Sequence, residues 1–93
     1  MKFDLDSAVI RARQDLAGRL GVNEGDIALV SSSSKEFPDM SLGAPADGEM
    51  SAQMVSYGWQ FQLGHAGTSY EYRGDKYQLR LRNYNGKNYL VAG

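Results

Sequence analysis

The 93-residue chain contains no cysteine and a single histidine. Without cysteine there is no disulfide framework, thiolate zinc site, iron–sulfur cluster or Cys nucleophile. A single histidine argues against a His relay or a His-rich metal centre. Proline is scarce, and both residues, Pro38 and Pro45, fall in one stretch. No apolar run approaches the ~20 residues of a membrane-spanning helix. The start, Met1-Lys2-Phe3-Asp4, lacks the charged n-region and apolar run of a signal peptide. The default reading is therefore a cytoplasmic chain, with a mature fragment of an exported precursor left open. A chain this short builds one domain with one core, and has little room for an enclosed active-site cavity.

What is present is a charge asymmetry beneath a net charge of −1. Residues 1–20 carry four basic and three acidic groups, net +1. Residues 21–56 set Lys35 against Glu24, Asp26, Glu36, Asp39, Asp47 and Glu49, net −5. Residues 57–93 set five basic groups against Glu71 and Asp75, net +3. Two readings follow. The acidic middle and the basic end attract each other within one fold, or the basic end is a face for an anionic partner.

Leu5, Val9, Ala12, Leu16 and Leu20 fall on one helical face, with Arg11, Arg13, Asp15 and Arg19 on the other. Asp6 is the expected N-cap and Gly21 the left-handed stop, so a helix is predicted over about 6–20. Asn23-Glu24-Gly25-Asp26 is turn chemistry. The apolar run Ile27–Val30 predicts a short buried strand, about 26–31, that decays into Ser31–Ser34. Residues 32–51 follow as a long loop, and a loop of that length in a small domain is often functional. From 52 to 92 the pattern is β. Trp59, Phe61 and Leu63 alternate with glutamines, Tyr70 and Tyr72 with polar residues, and Tyr77, Leu79 and Leu81 with Gln78, Arg80 and Arg82. Asn85-Gly86 signals a type I′ hairpin. The expected fold is α+β in two layers: one N-terminal helix on a 4–5-stranded antiparallel meander, with the loop between the first and second strands. Its second face is expected to be solvated.

The run Phe37-Pro38-Asp39-Met40-Ser41-Leu42-Gly43-Ala44-Pro45 resembles the motif W-P-D-x-S-L-G-C-P-x-P-G of an uncharacterised family of small bacterial domains, often exported or lipid-anchored. The resemblance continues through Gly48, Gln53, Gly58, Trp59, Phe61, Leu63, Gly67, Tyr70 and Tyr72, and so spans residues 37–73. It implies the same fold and an ordered loop, and no activity. The chain departs from the motif where Phe37 replaces Trp, Ala44 replaces Cys and Arg73 replaces His. A second Cys near the C-terminus has no counterpart. The resemblance implies a disulfide from the loop to the last strand, which this chain must do without. That suits a reducing compartment and a loop held by packing alone.

Few residues suggest chemistry. His65 stands next to a turn, with no nucleophile motif to activate. Glu36, Asp39, Asp47 and Glu49 cluster in the loop, but no EF-hand pattern accompanies them. Asp39, two residues before Ser41, suits an Asx-type turn. No catalytic residue, metal ligand or cofactor site is predicted. The expected function is a non-catalytic binding or structural domain acting through loop 35–51 and the solvated sheet face. Phe37, Pro38, Asp39, Ser41, Leu42, Gly43 and Pro45 shape the loop, with Phe37 and Leu42 docked on the core and the acids facing water. The expected partner is a protein or small ligand, and the chain a monomer or weak dimer. Two alternatives stay open. Arg80, Arg82 and Tyr84 on one sheet face would suit single-stranded nucleic acid, although one Tyr among basic residues makes that partner disfavoured. Helix-on-sheet architecture with Gln53-Met54-Val55-Ser56-Tyr57-Gly58, near Q-x-V-x-G, suggests a cystatin-like protease inhibitor by fold analogy.

Overall fold

The structure is a computed structural model and describes residues 2–93. One helix, α1 (Leu5–Leu20), precedes a short 3-10 turn, Glu24–Asp26, and five strands. These are β1 (Ala28–Phe37), β2 (Ser56–His65), β3 (Thr68–Gly74), β4 (Leu79–Tyr84) and β5 (Lys87–Ala92). The strands form one antiparallel sheet in chain order, β1-β2-β3-β4-β5. The α+β meander read from the sequence is this fold.

The helix starts earlier than expected. Asp4, not Asp6, is the N-cap: its carboxylate accepts from the Ser7 N–H at 2.8 Å, and the Ser7 hydroxyl accepts from the Asp4 N–H at 3.0 Å. A cap at Asp6 would put Val9 in the third position, where no side chain can return that bond. Asp6 instead supplies charge in the first turn, where it favours the helix dipole. Gly21 ends the helix at φ 68°, as predicted. Upstream, Phe3 is buried and its N–H donates to the Lys76 carbonyl at 2.8 Å.

One face of α1 covers one face of the sheet. Ala8, Val9, Ala12, Leu16 and Ala17 pack with Phe61, Leu63, Tyr72, Leu79 and Leu81 in a single apolar cluster. The Phe61 and Tyr72 rings stack at 5.7 Å. Tyr72 also donates to Asp15 at 2.8 Å. Burial, and then that carboxylate, hold its hydroxyl well above the ordinary phenol range.

Two strands differ from expectation. β1 is ten residues long and exposed from Ala28 to Glu36, where a short buried strand was expected. The four serines are strand, and only Phe37, at the far end, is buried. Val30 lies in a bulge between Leu29 and Ser31. β4 begins at Leu79, so Tyr77 lies in the preceding turn and is exposed rather than sharing the inner face. That turn is organised by Asp75, whose carboxylate accepts from the Tyr77 and Gln78 N–H groups at 2.8 and 3.0 Å. Asn85 and Gly86, both at positive φ, make the expected β4–β5 hairpin turn.

Candidate functional site: a loop across the second face of the sheet

The second face of the sheet is polar by alternation: Ser33, Gln60, Arg73 and Arg80 are paired partners across four strands. Phe37 and Ser56 lie on this face at its edge. Residues 38–55 connect these two and fold back over the face, which is therefore not the open, solvated face expected. The β1 ladder stops at Phe37 because Pro38 has no N–H to donate.

Asp39 then builds the turn. Its Oδ1 accepts from the Ser41 hydroxyl at 2.7 Å, and from the Ser41 and Gly43 N–H groups at 3.0 Å each. The Ser41 hydroxyl first, and the Gly43 amide second, hold its carboxyl below the usual carboxylate range. Leu42 and Gly43 are both left-handed, at φ 58° and 67°. The positive φ favours glycine at 43, and a Cβ there would lie 2.7 Å from the Arg73 guanidinium, whose end would have to shift.

The turn presents a row of backbone carbonyls to the sheet, and each receives a side-chain donor. Gln78 donates to the Met40 carbonyl at 2.6 Å and Arg73 to Leu42 at 2.9 Å. Arg80 donates to Ala44 at 3.1 Å and Asn88 to Pro45 at 3.0 Å. Arg80 also grips Glu49 through both carboxylate oxygens, at 2.6 and 2.8 Å, while its Nε donates to Gln78 at 2.6 Å. Arg80 is 4% exposed and its planar fork is almost fully used. The guanidinium in turn holds the Glu49 carboxyl below its usual range. Phe37, Leu42 and Ala44 are fully buried beneath the loop, with the Arg73 guanidinium 5.4 Å from the Phe37 ring centre.

Of the predicted loop residues, Phe37, Asp39, Ser41, Leu42 and Gly43 come together here, while Pro38 and Pro45 are exposed on its outer side. Phe37 and Leu42 are docked, as expected, but on the face opposite the helix and outside the main core. Glu49 is bound to Arg80 rather than facing water. Packing alone does not hold the loop, since donors from β3, β4 and β5 bind its backbone. Gln78 and Asn88 were not singled out beforehand; Glu49 was read only as a loop acid facing water and Arg73 only as a departure from the motif. The one signal for them was the acidic middle set against the basic end, and Arg80–Glu49 and Lys87–Asp47, at 3.9 Å, are ion pairs between those two regions.

The predicted basic face is not assembled. Arg80 is buried under the loop, and Arg82 is exposed 3.8 Å from Glu71. Tyr84 is on the helix side, 6.0 Å from Tyr70 and 6.2 Å from Tyr89. The register irregularity between Leu81 and Tyr84, with Asn83 at φ 55°, reverses the parity that alternation assigned to it. The run Gln53–Gly58 leads from the loop straight into β2, with no tight hairpin turn of the inhibitor kind. His65 is at the other end of β2 from Ser56, about 30 Å along a ten-residue strand. Among the described residues no cluster of three or more His, Cys, Asp or Glu could hold a metal ion. No helix there is long and apolar enough to cross a membrane.

The sequence model of the family described as "Domain of unknown function (DUF8738)" matches residues 9–82. The chain belongs to this family. No curated protein and no solved structure matches it. The matched span of the DUF8738 domain runs from within α1 into β4 and includes the whole loop with Arg73 and Arg80.

Proposed function

We propose that this chain is a non-catalytic protein-binding domain whose contact surface is the apolar end where the loop rejoins the sheet. The observation that carries this reading is a group of large exposed side chains gathered there. Met54 and Val55 leave the loop, Tyr57 is the second residue of β2 and Tyr77 projects from the β3–β4 turn, each at least half exposed. With Met40 and Lys76 they line an open groove of about 380 Å³. Scattered apolar side chains on a surface need no explanation, whereas a contiguous cluster marks a contact site. Tyr and Met are the residue types enriched at such contacts.

The motif residues support the surface from behind. Met40 receives the Ser56 hydroxyl on its sulfur at 3.1 Å, and its N–H donates to Ala52 at 3.0 Å. The carbonyl clamp on Met40 through Gln78 thereby fixes where the loop returns. The Tyr77 backbone is held by Asp75, whose carboxylate accepts from its N–H. A preorganised groove loses little entropy on binding. Of the four loop carboxylates, Asp39 is engaged by its own turn and Glu49 by Arg80, while Glu36 and Asp47 are exposed and apart from any nucleophile motif.

A photo-activatable phenylalanine at position 77, in the full chain and in the cells that make it, tests the surface. The expected result is a discrete protein adduct that disappears when Met54→Asp and Tyr57→Asp are added, and that position 14 on the helix does not give. Equal adducts from position 14, or none from 77, would overturn the proposal.

A further inference from the structure

The two edges of the sheet are treated differently. β5 is six residues long, has two register irregularities with β4, and is tied to the loop through Asn88 and Pro45. β1 is ten residues long, about 30 Å of a molecule whose longest dimension is 36 Å, and pairs only with β2. It carries no proline, and its centre, Ser31–Ser34, is small and uncharged. The single bulge, at Val30, lies near one end. Natural sheets usually blunt an open edge with charge, proline or irregularity, because its free N–H and C=O groups template another strand.

We infer that β1 pairs antiparallel with β1 of a second copy across a two-fold axis near Ser33. Such a pairing puts Ser33 opposite itself, Ser32 opposite Ser34 and Ser31 opposite Lys35, so no like charges meet. It also joins charges that the monomer leaves apart. Glu36 is exposed, shares the helix side of the sheet with Tyr57, and makes no ion pair among the described residues. Arg13 likewise has no carboxylate partner among them; its Nε is bound to the Ile27 carbonyl at 3.2 Å, beside the start of β1. Arg13 lines the groove between α1 and β1, together with Asp6, Ile10 and Leu29. The antiparallel arrangement carries each copy's Glu36 to the other's Leu29 end, on the same side as Arg13. A parallel strand, or one without an acid at that position, gains neither pair. The same contact covers the exposed flank of Leu29 and Ile10 on both copies. It stands on the unpaired strand and not on the apolar groove, so either proposal can fail alone.

Sedimentation equilibrium of the full chain, up to about 1 mM, tests the inference. The expected result is reversible dimerisation. Ser33→Lys and Glu36→Arg should each raise Kd by about tenfold or more, since like charges are then opposed. Glu36→Arg combined with Arg13→Glu should restore it to within about threefold of the parent value. Should that double variant not fold, because Arg13 also serves Ile27, an equimolar mixture of Ser33→Lys and Ser33→Glu chains serves instead. It must associate more tightly than either variant alone. A chain monomeric at every concentration, or a dimer whose Kd neither single substitution moves, would overturn the inference.

Discussion

The two faces of this sheet are covered by opposite means. On one side α1 lays Ala, Val and Leu side chains on Phe61, Leu63, Tyr72 and Leu81, and burial is stabilising wherever the surfaces fit. On the other side an irregular loop covers an arginine-bearing face, and a run of donors fastens to its carbonyls. Hydrophobic contact is non-directional, so the helix is placed chiefly by shape. Hydrogen bonds to fixed carbonyls are directional, and they set the path of the loop residue by residue. The difference explains why the loop can be so long and still ordered. The carbonyls of Met40, Leu42, Ala44 and Pro45 are satisfied by side chains, and the N–H groups of Met40, Leu42, Ala44 and Glu49 by loop carbonyls, where no ladder satisfies them.

The strongest way to break the comparison is to remove the central donor. Arg80→Ala leaves Glu49 without its cation and the Ala44 carbonyl without a donor. About 3–5 kcal/mol of stability should be lost, read by urea unfolding. The double variant Arg80→Met with Glu49→Leu should regain most of it, because two well-packed apolar groups can replace an ion pair. Its loop amides should nevertheless exchange faster than those of the parent, since direction has gone. Amide protection equal to the parent would mean that packing alone positions the loop.

Leu42→Ala comes next. Leu42 is fully buried on the loop side, and the substitution should cost about 2–4 kcal/mol. An unchanged melting temperature would show that the apolar part of the loop contributes nothing and that its polar clamp acts alone.

The two coverings should also part company in acid. The carboxyls of Glu49 and Asp39 are both held below their ordinary values of 4.5 and 3.8. A carboxylate with a depressed folded-state pKa stabilises the fold above its unfolded pKa. That contribution fades as pH falls through the folded value. Below about pH 4.5 the loop side should therefore loosen while the helix side, whose one depressed carboxyl is the exposed N-cap Asp4 outside the buried cluster, persists. Methyl spectra of Leu42 and Leu16 followed from pH 6 to pH 3 check this, with Leu42 expected to change first. Simultaneous change of both would mean that the two faces unfold as one unit.

What could be read beforehand divides along the same line. The helix, the meander and the buried Leu42 were legible because burial leaves a period or an apolar anchor in the sequence. β1 was half invisible, since nine exposed residues face no core on either side and so have no reason to alternate. Tyr84 was assigned to the wrong face because a bulge at Asn83 breaks parity without leaving a pattern. The clamp was legible only as a charge imbalance. Which donor meets which carbonyl depends on Arg73, Arg80 and Asn88 becoming neighbours across β3, β4 and β5, a relation set by register and absent from local sequence.

The smallest effect belongs to the outermost link. Lys87 and Asp47 join the last strand to the loop at 3.9 Å, with side chains 62% and 84% exposed. Their charges have the same signs as Arg80 and Glu49 and connect the same two parts of the molecule. An exposed pair at that distance exchanges little water and is screened by salt, so Lys87→Ala should shift stability by less than about 0.5 kcal/mol. Comparing it with Arg80→Ala isolates burial and geometry from simple attraction between acidic loop and basic sheet. If Lys87→Ala proved as costly as Arg80→Ala, and its cost vanished in high salt, long-range attraction would be holding the loop. The clamp on the carbonyls predicts instead a several-fold gap between the two, little altered by salt.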